Sequence, residues 1–339
     1  SWIVTKAKHT FLKASDDTTT IAQTWNYYDG ATSSDTAPTK GDLTKEEKWL
    51  SGGTNPIMTY QYDTFGNITQ LTDANNKITS SAYDTTKTYP VSQTNAKNQT
   101  TLVNYDLGTG NLLSKTDSNG FVTAYEYDVF GRITKEIKPY DTSALPTTQY
   151  AYFNDGVAPE GIKVAKREAS GAAGTLDVYS WSDGLGRILQ SRTEAEDTTK
   201  QIVVNKYYDP IGEVKKESVP HHDTLSTNYV APITGTKATE LSYDTLGRVT
   251  IVKNPKGDPK TIAYDHWKET TIDENGHIKR EFKNAFDKIN KVEEVNGITT
   301  YTTTYEYDVR NLLTKITDNT NNVNTLAYDS LGRKTSQTD

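Results

Sequence analysis

Two groups of residues in this chain have the types and spacing to do chemistry. The first is a set of aspartates and arginines in the pattern Tyr-Asp-x-x-Gly-Arg. It is fullest at Tyr127-Asp128-Val129-Phe130-Gly131-Arg132, and echoed at Tyr243-Asp244-Thr245-Leu246-Gly247-Arg248 and Tyr328-Asp329-Ser330-Leu331-Gly332-Arg333. Pairs of carboxylates carry out glycoside hydrolysis. The second is His221-His222-Asp223, whose residue types suit zinc; the other histidines, His9, His266 and His277, are scattered. Each has a plainer reading. A carboxylate that returns at fixed intervals serves the repeat, and adjacent histidines on an extended segment point apart, which favours a solvated loop. Arg132, Arg187, Arg248 and Arg333 are expected to pair with turn carboxylates or lie across Tyr rings. No HExxH, Gly-x-Ser-x-Gly, phosphate-loop or dinucleotide pattern occurs. No catalytic, cofactor or metal residue is assigned.

What positions these residues is a repeat. Tyr-Asp occurs at Tyr62-Asp63, Tyr83-Asp84, Tyr105-Asp106, Tyr127-Asp128, Tyr208-Asp209, Tyr243-Asp244, Tyr264-Asp265, Tyr307-Asp308 and Tyr328-Asp329, and most neighbouring copies lie 21 or 22 residues apart. Ser182-Asp183 fills one vacant slot, followed by Gly186 and Arg187. Phe286-Asp287 is read as filling another. Asp suits the first position of a type I turn, and Gly three residues on suits a left-handed position closing a hairpin. Gly66, Gly131, Gly186, Gly212, Gly247 and Gly332 occupy that position, and Asn290 and Asn311 are read into it where Gly is missing. Asp209-Pro210-Ile211-Gly212 is one more such turn.

The flanks read as strands. Thr123-Ala124-Tyr125-Glu126-Tyr127 and Thr303-Thr304-Tyr305-Glu306-Tyr307 alternate with period two, so Tyr125 with Tyr127, and Tyr305 with Tyr307, share a face. A second turn signal sits midway, at Asp117-Ser118-Asn119-Gly120, Asp273-Glu274-Asn275-Gly276 and Asp73-Ala74-Asn75-Asn76. Each unit is strand, turn, strand, turn, which leaves no room for long helices. Residues 1–50 form irregular N-terminal β repeats, with a weak copy at Tyr28-Asp29 and a strand-like Trp49-Leu50. Residues 51–339 form the regular ribbon, with longer hairpin loops near 138–180 and 214–240. Tyr rings at matching positions are expected to stack across the sheet.

Composition agrees with a thin wall. The chain has 339 residues, net charge −7 and 34% hydrophobic residues. Adding glycine brings the apolar share to roughly 40%, below that of ordinary globular domains. Yet 22 Tyr, 7 Phe and 5 Trp are too many aromatics for a disordered chain. The acidic balance without a basic run excludes nucleic acid as a partner. No apolar run is long enough to span a membrane. Ser1-Trp2-Ile3-Val4 has none of the features of a signal peptide. The absence of Cys removes disulfides and thiolate chemistry. Asn67-Ile68-Thr69 and Asn98-Gln99-Thr100 match the glycosylation sequon, which matters only in a glycosylating host.

The Tyr-Asp-x-x-Gly-Arg strings resemble the RHS/YD-repeat family, known from bacterial toxin-associated shells and from teneurins, over roughly residues 20–339. Asn55-Pro56-Ile57-Met58-Thr59-Tyr60-Gln61-Tyr62-Asp63 looks closest to the bacterial branch. The resemblance implies an all-β ribbon of antiparallel hairpins, curled as an open segment of a hollow shell. It implies a structural, non-enzymatic role, enclosing and shielding a polypeptide cargo such as a toxin domain. It implies a bacterial secreted or cell-surface setting, and partners that are the remainder of a shell or neighbouring subunits at exposed sheet edges. The alternative is an extracellular adhesion or glycan-binding surface. The family's self-cleavage segment has no counterpart here, so no protease residue is carried over. Some 24–26 strands are expected, with a contour of ~115–125 Å. A 250-residue cargo would need a circumference on the order of 170 Å, so the chain is expected to fall short of one turn.

Overall fold

The computed structural model describes residues 5–14, 16, 18–153 and 156–339; Ser1-Trp2-Ile3-Val4 lies outside them. Among the described residues there are 28 strands and no helix, numbered from β1 (His9–Lys13) to β28 (Lys334–Thr338). All strand pairs are antiparallel, and nearly every strand pairs with its neighbours in sequence, so the chain is one open, meandering sheet. The count exceeds expectation because the stretch 138–180 is not mainly loop. It contains β12 (Thr148–Phe153), β13 (Glu160–Arg167) and the start of β14 (Thr175–Ser182), which lack the Tyr-Asp mark that made other strands visible.

Hairpin chemistry sets the register. β10 (Val122–Tyr127) and β11 (Ile133–Ile137) pair Glu126 with Lys135 and then Tyr127 with Ile133, so Thr134 is an extra residue. The same one-residue slip recurs at Tyr62, Tyr83, Tyr105, Tyr208, Tyr243, Tyr307 and Tyr328. Such bulges increase local twist and bend the strand that carries them. They sit on one edge of the ribbon, here called the YD edge, so their effect accumulates as curl.

That curl brings distant residues together. The Ser330 hydroxyl, in a YD turn near the C-terminal end, donates to the Trp49 carbonyl at 3.2 Å and accepts from the Ser51 amide at 3.0 Å. The partners are 281 and 279 residues apart. Ser51 belongs to the turn joining β3 (Leu43–Lys48) to β4 (Ile57–Tyr62), on the opposite edge of the ribbon. The intervening strands span about 110 Å of contour, equivalent to a circle roughly 35 Å across. The chain therefore completes a turn, a tighter one than the cargo argument expects. Among the described residues the sheet stays unclosed, with no ladder joining β28 back to β1.

Three local readings are corrected. The turn read at Phe286-Asp287 is three residues earlier. Asn284 takes the Asp position, accepting from the amides of Phe286 and Lys288, and Asp287 holds the left-handed position at φ 59°, while Asn290 lies in β24 (Ile289–Asn296). Tyr264-Asp265 ends β21 (Pro259–Asp265) in a tight hairpin, pairing Asp265 with Lys268 without a slip. Trp49-Leu50 lies just past β3, not in a strand.

The sheet's topology branches once. β16 (Lys200–Tyr208) pairs with β15 (Ile188–Glu194) along one side. Its other side is shared: Lys206–Tyr208 pairs with β17 (Val214–Ser218) and Lys200–Val203 with β18 (His221–Thr224). β17 then pairs with β19 (Ala238–Tyr243), and the loop 225–237 is left over the face of β15 and β16. Most of the buried residues gather here: Ala165, Tyr179, Trp181 and Val203, with the polar Gln190, Arg192, Gln201, Asn205 and Ser218.

Candidate functional site

The repeated carboxylates are turn-builders, and at Asp128 both oxygens are engaged. Asp128 Oδ1 accepts from the amides of Phe130 at 2.9 Å and Arg132 at 3.0 Å, and Oδ2 accepts from Arg132 Nε at 2.7 Å. Gly131 sits at φ 76° and donates its amide to the Asp128 carbonyl. Asp183 with Arg187, Asp244 with Arg248, and Asp329 with Arg333 repeat this arrangement. Asn67 replaces the arginine at Asp63, and Glu213 supplies its amide at Asp209 in place of a guanidinium. At Asp308 the guanidinium comes from Arg310, two residues on, with Asn311 at φ 63°.

At several of these turns the geometry holds the carboxyl below its ordinary range. The Arg187 side chain holds Asp183 below the usual range against the opposing pull of burial, and the Arg248 and Arg333 amides do the same first for Asp244 and Asp329. At Asp84, the Thr86 hydroxyl leads in lowering the value to about 2. A general acid must hold a proton near working pH. A depressed, fully engaged carboxylate is suited to fixing a turn instead.

The motif's tyrosine and arginine join one repeat to the next. Between repeats the ladder is short: β11 pairs with β12 only at Lys135–Gln149 and Glu136–Thr148. The Ile133 carbonyl lies beyond that ladder, and the Tyr152 hydroxyl donates to it at 2.9 Å. Arg132 stacks over the same Tyr152 ring at 4.1 Å while bonded to its own Asp128. The device recurs. Tyr62, Tyr127, Tyr208, Tyr243, Tyr264, Tyr307 and Tyr328 donate to Leu43, Leu112, Ile188, Val214, Val249, Ile289 and Leu313, each at the start of an earlier strand. Arg187 lies over Tyr208 and Arg248 over Tyr264. Ring-on-ring stacking of tyrosines, the expected glue, is confined among the described residues to Tyr89 and Tyr105. The rings are bridged by hydroxyls and guanidinium groups because the strands splay apart where the rings sit.

The second candidate cluster is a strand and not a solvated loop. In β18 His222 is exposed, His221 Nδ1 lies 3.1 Å from the Val219 carbonyl, and Asp223 turns inward to Arg192. Among the described residues no group of three His, Cys, Asp or Glu could hold a metal.

The residues that sequence reasoning missed are those that hold the loop 225–237. Arg192, fully buried, donates to Gln201 Oε1 at 2.9 Å, Gln190 Oε1 at 3.2 Å, Asp223 Oδ2 at 3.0 Å and the Thr224 carbonyl at 2.6 Å. Gln190 pairs with both backbone groups of Val230, and Gln201 accepts from the Ser226 amide. Burial pushes the Asp223 carboxyl up, but the Thr224 amide and the Arg192 guanidinium overcome it and hold the group below its ordinary range. The available signal was Gln190, Arg192, Gln201 and Asn205 alternating on strands where apolar residues would face a core.

Comparison with known proteins agrees with this geometry. Residues 105–143 match the RHS repeat. No curated protein matches the chain. Among solved structures, TcdB2-TccC3 superposes with a TM-score of 0.77 at 16% identity, over 94% of this chain and 22% of that one. A TcdB2-TccC3-TEV structure gives 0.78 at 12% identity, over 95% and 24%. The Photorhabdus luminescens Tc holotoxin pore, with a mutated TccC3, gives 0.72 at 13%, over 94% and 25%. The chain thus spans about a quarter of the chains it matches, and what is shared is the fold.

Proposed function

We propose, from the premise that this chain is an RHS/YD-repeat protein with the fold of the Tc toxin shell, that it is a length of shell wall. In this reading the wall encloses and shields a polypeptide cargo, such as a toxin domain, without catalysis of its own. The observation that carries the proposal is the single-layer ribbon returning on itself at Ser330 and Trp49. A sheet with so few buried side chains and a full turn of curl surrounds a space it does not fill. A circle of about 35 Å leaves a lumen near 25 Å after side chains. That admits an extended chain or a pair of helices, not a folded domain of 250 residues.

The named motif residues serve the wall in this proposal: Asp and Gly make the bend, and Arg and Tyr tie each bend to the next. Residues 1–50 form its irregular start and residues 51–339 its regular course. A secreted or cell-surface setting follows from the reading, with the remainder of a shell as partner. The glycan-binding alternative needs free aromatic platforms. The motif tyrosines are half-buried, the hydroxyls of Tyr62, Tyr83, Tyr127, Tyr208, Tyr243, Tyr264, Tyr307 and Tyr328 are engaged, and Tyr152, Tyr208 and Tyr264 are capped by arginine.

The test is limited proteolysis and electron microscopy of the full-length gene product that contains this segment. We expect a hollow particle whose enclosed polypeptide resists protease until denaturant opens the wall. A filled particle, or a cargo digested at the same rate with and without the wall, overturns the proposal.

A further inference from the structure

Both edges of the ribbon carry apolar side chains in water. On the YD edge the turn tips Phe65, Phe130, Leu185, Ile211, Leu246 and Phe286 are each 67–80% exposed. Along the opposite edge Ile57, Ile78, Phe121, Ile298 and Val323 are also exposed. Isolated apolar residues on a surface need no explanation, but rows rimming two edges of one element do. Leu331 holds the equivalent tip position in the turn at Asp329, and it is half-buried. That turn is the one seated on the opposite edge, through Ser330 against Trp49 and Ser51.

We infer that the YD edge is a docking edge whose partner is the opposite edge of another winding of this ribbon, supplied in isolation by a second copy of the chain. The inference rests on the wall reading and extends it to how windings join. The contact within the chain already shows the geometry: a YD turn laid on an opposite-edge turn, with a hydroxyl satisfying backbone groups of the neighbouring winding. Because two different edges meet, the junction is head-to-tail. It does not close on itself, so it leaves a free edge at each end for a further winding. The tips between Phe65 and Phe286 lose exposure when another winding docks on them, to the half-buried state Leu331 has now. YD turns recur about 10 Å apart, two strand spacings; apolar tips fill three successive turns at Leu185, Ile211 and Leu246 and wider intervals at Phe65, Phe130 and Phe286, a pattern that gives the junction its register.

Sedimentation velocity over a concentration series tests this. The chain is expected to associate as concentration rises. A variant with Phe65→Ser, Phe130→Ser and Leu246→Ser is expected to stay monomeric, as is one with Ile78→Ser, Ile298→Ser and Val323→Ser. Each variant retains one intact edge, so mixing the two is expected to give a dimer and nothing larger. A chain that stays monomeric at every soluble concentration overturns the inference, and so does association that survives the tip substitutions. Intact tryptophan fluorescence checks the fold of each variant. The chain has no cysteine, so Ser51→Cys with Ser330→Cys reports the curl separately, by an intramolecular disulfide. If that crosslink forms in a protein that never associates, docking fails and the wall reading stands. If it does not form, both fail.

Discussion

The regular repeats and the segment from β12 to β18 use the same ladder for different kinds of stability. In the repeats, strands mostly of five or six residues, though β24 and β25 (Thr299–Tyr307) are longer, stay half-buried with no loop packed over them, and turn carboxylates, tyrosine hydroxyls and arginine stacking hold neighbours together. From β13 to β16 the strands lengthen to seven to nine residues, and the loop 225–237 covers one face. Among the described residues, only there does a buried polar network form. Repeats draw stability from nearest neighbours and fray locally. The covered segment depends on residues more than thirty positions apart, such as Arg192 and Thr224. A single-layer sheet thus gains one covered panel by folding its own loop onto itself.

The largest expected effect that would break this contrast is Arg192→Leu. It leaves the half-buried Asp223 carboxylate beside an apolar side chain and should cost about 3 kcal/mol, the low end for breaking a buried pair, read as a fall in the denaturation midpoint. Adding Asp223→Leu should restore part of the loss. If the single change costs no more than a surface substitution, the panel is not the more stable element.

Gly161→Ala comes next. A Cβ there would meet Trp181 ring atoms at 2.3 Å across the β13–β14 pair, so about 1–3 kcal/mol should be lost through overpacking. Amide exchange should quicken in β13 and β14 while distant repeats keep their rates. Tyr127→Phe is smaller. It removes the hydroxyl bonded to Leu112 at 2.8 Å and should cost about 1 kcal/mol, with faster exchange confined to the two repeats it joins.

The smallest effect is at Asp84. Its folded value of about 2 lies below the ordinary 3.8. A depressed carboxyl stabilises the fold fully above 3.8, and the contribution disappears as pH falls toward the folded value. An NMR titration should find its midpoint near 2, with the turn loosening below it. A midpoint at 3.8 would show that the Thr86 and backbone contacts do not persist in solution.

Local chemistry was legible from the sequence wherever one residue decides a backbone angle. Gly66, Gly131 and Gly247 announced left-handed positions, and Asp128 announced the turn before them. The reading slipped at Phe286-Asp287 because it followed the Tyr-Asp spelling. The backbone follows the left-handed position, which Asp287 itself holds. Tyr264-Asp265 kept its tyrosine contact yet lost its turn, since a two-residue hairpin with His266 at φ 55° needs no carboxylate.

Composition, period and turn residues by themselves determined an all-β ribbon of hairpins, because φ preferences and period-two alternation act within a few residues. Only the tertiary structure decided that Arg192 would be buried under a loop, that tyrosine hydroxyls would bridge splayed strands, and that Ser330 would come to rest on Trp49. Those outcomes depend on curl added up over many small bulges, and no short stretch of sequence contains that sum.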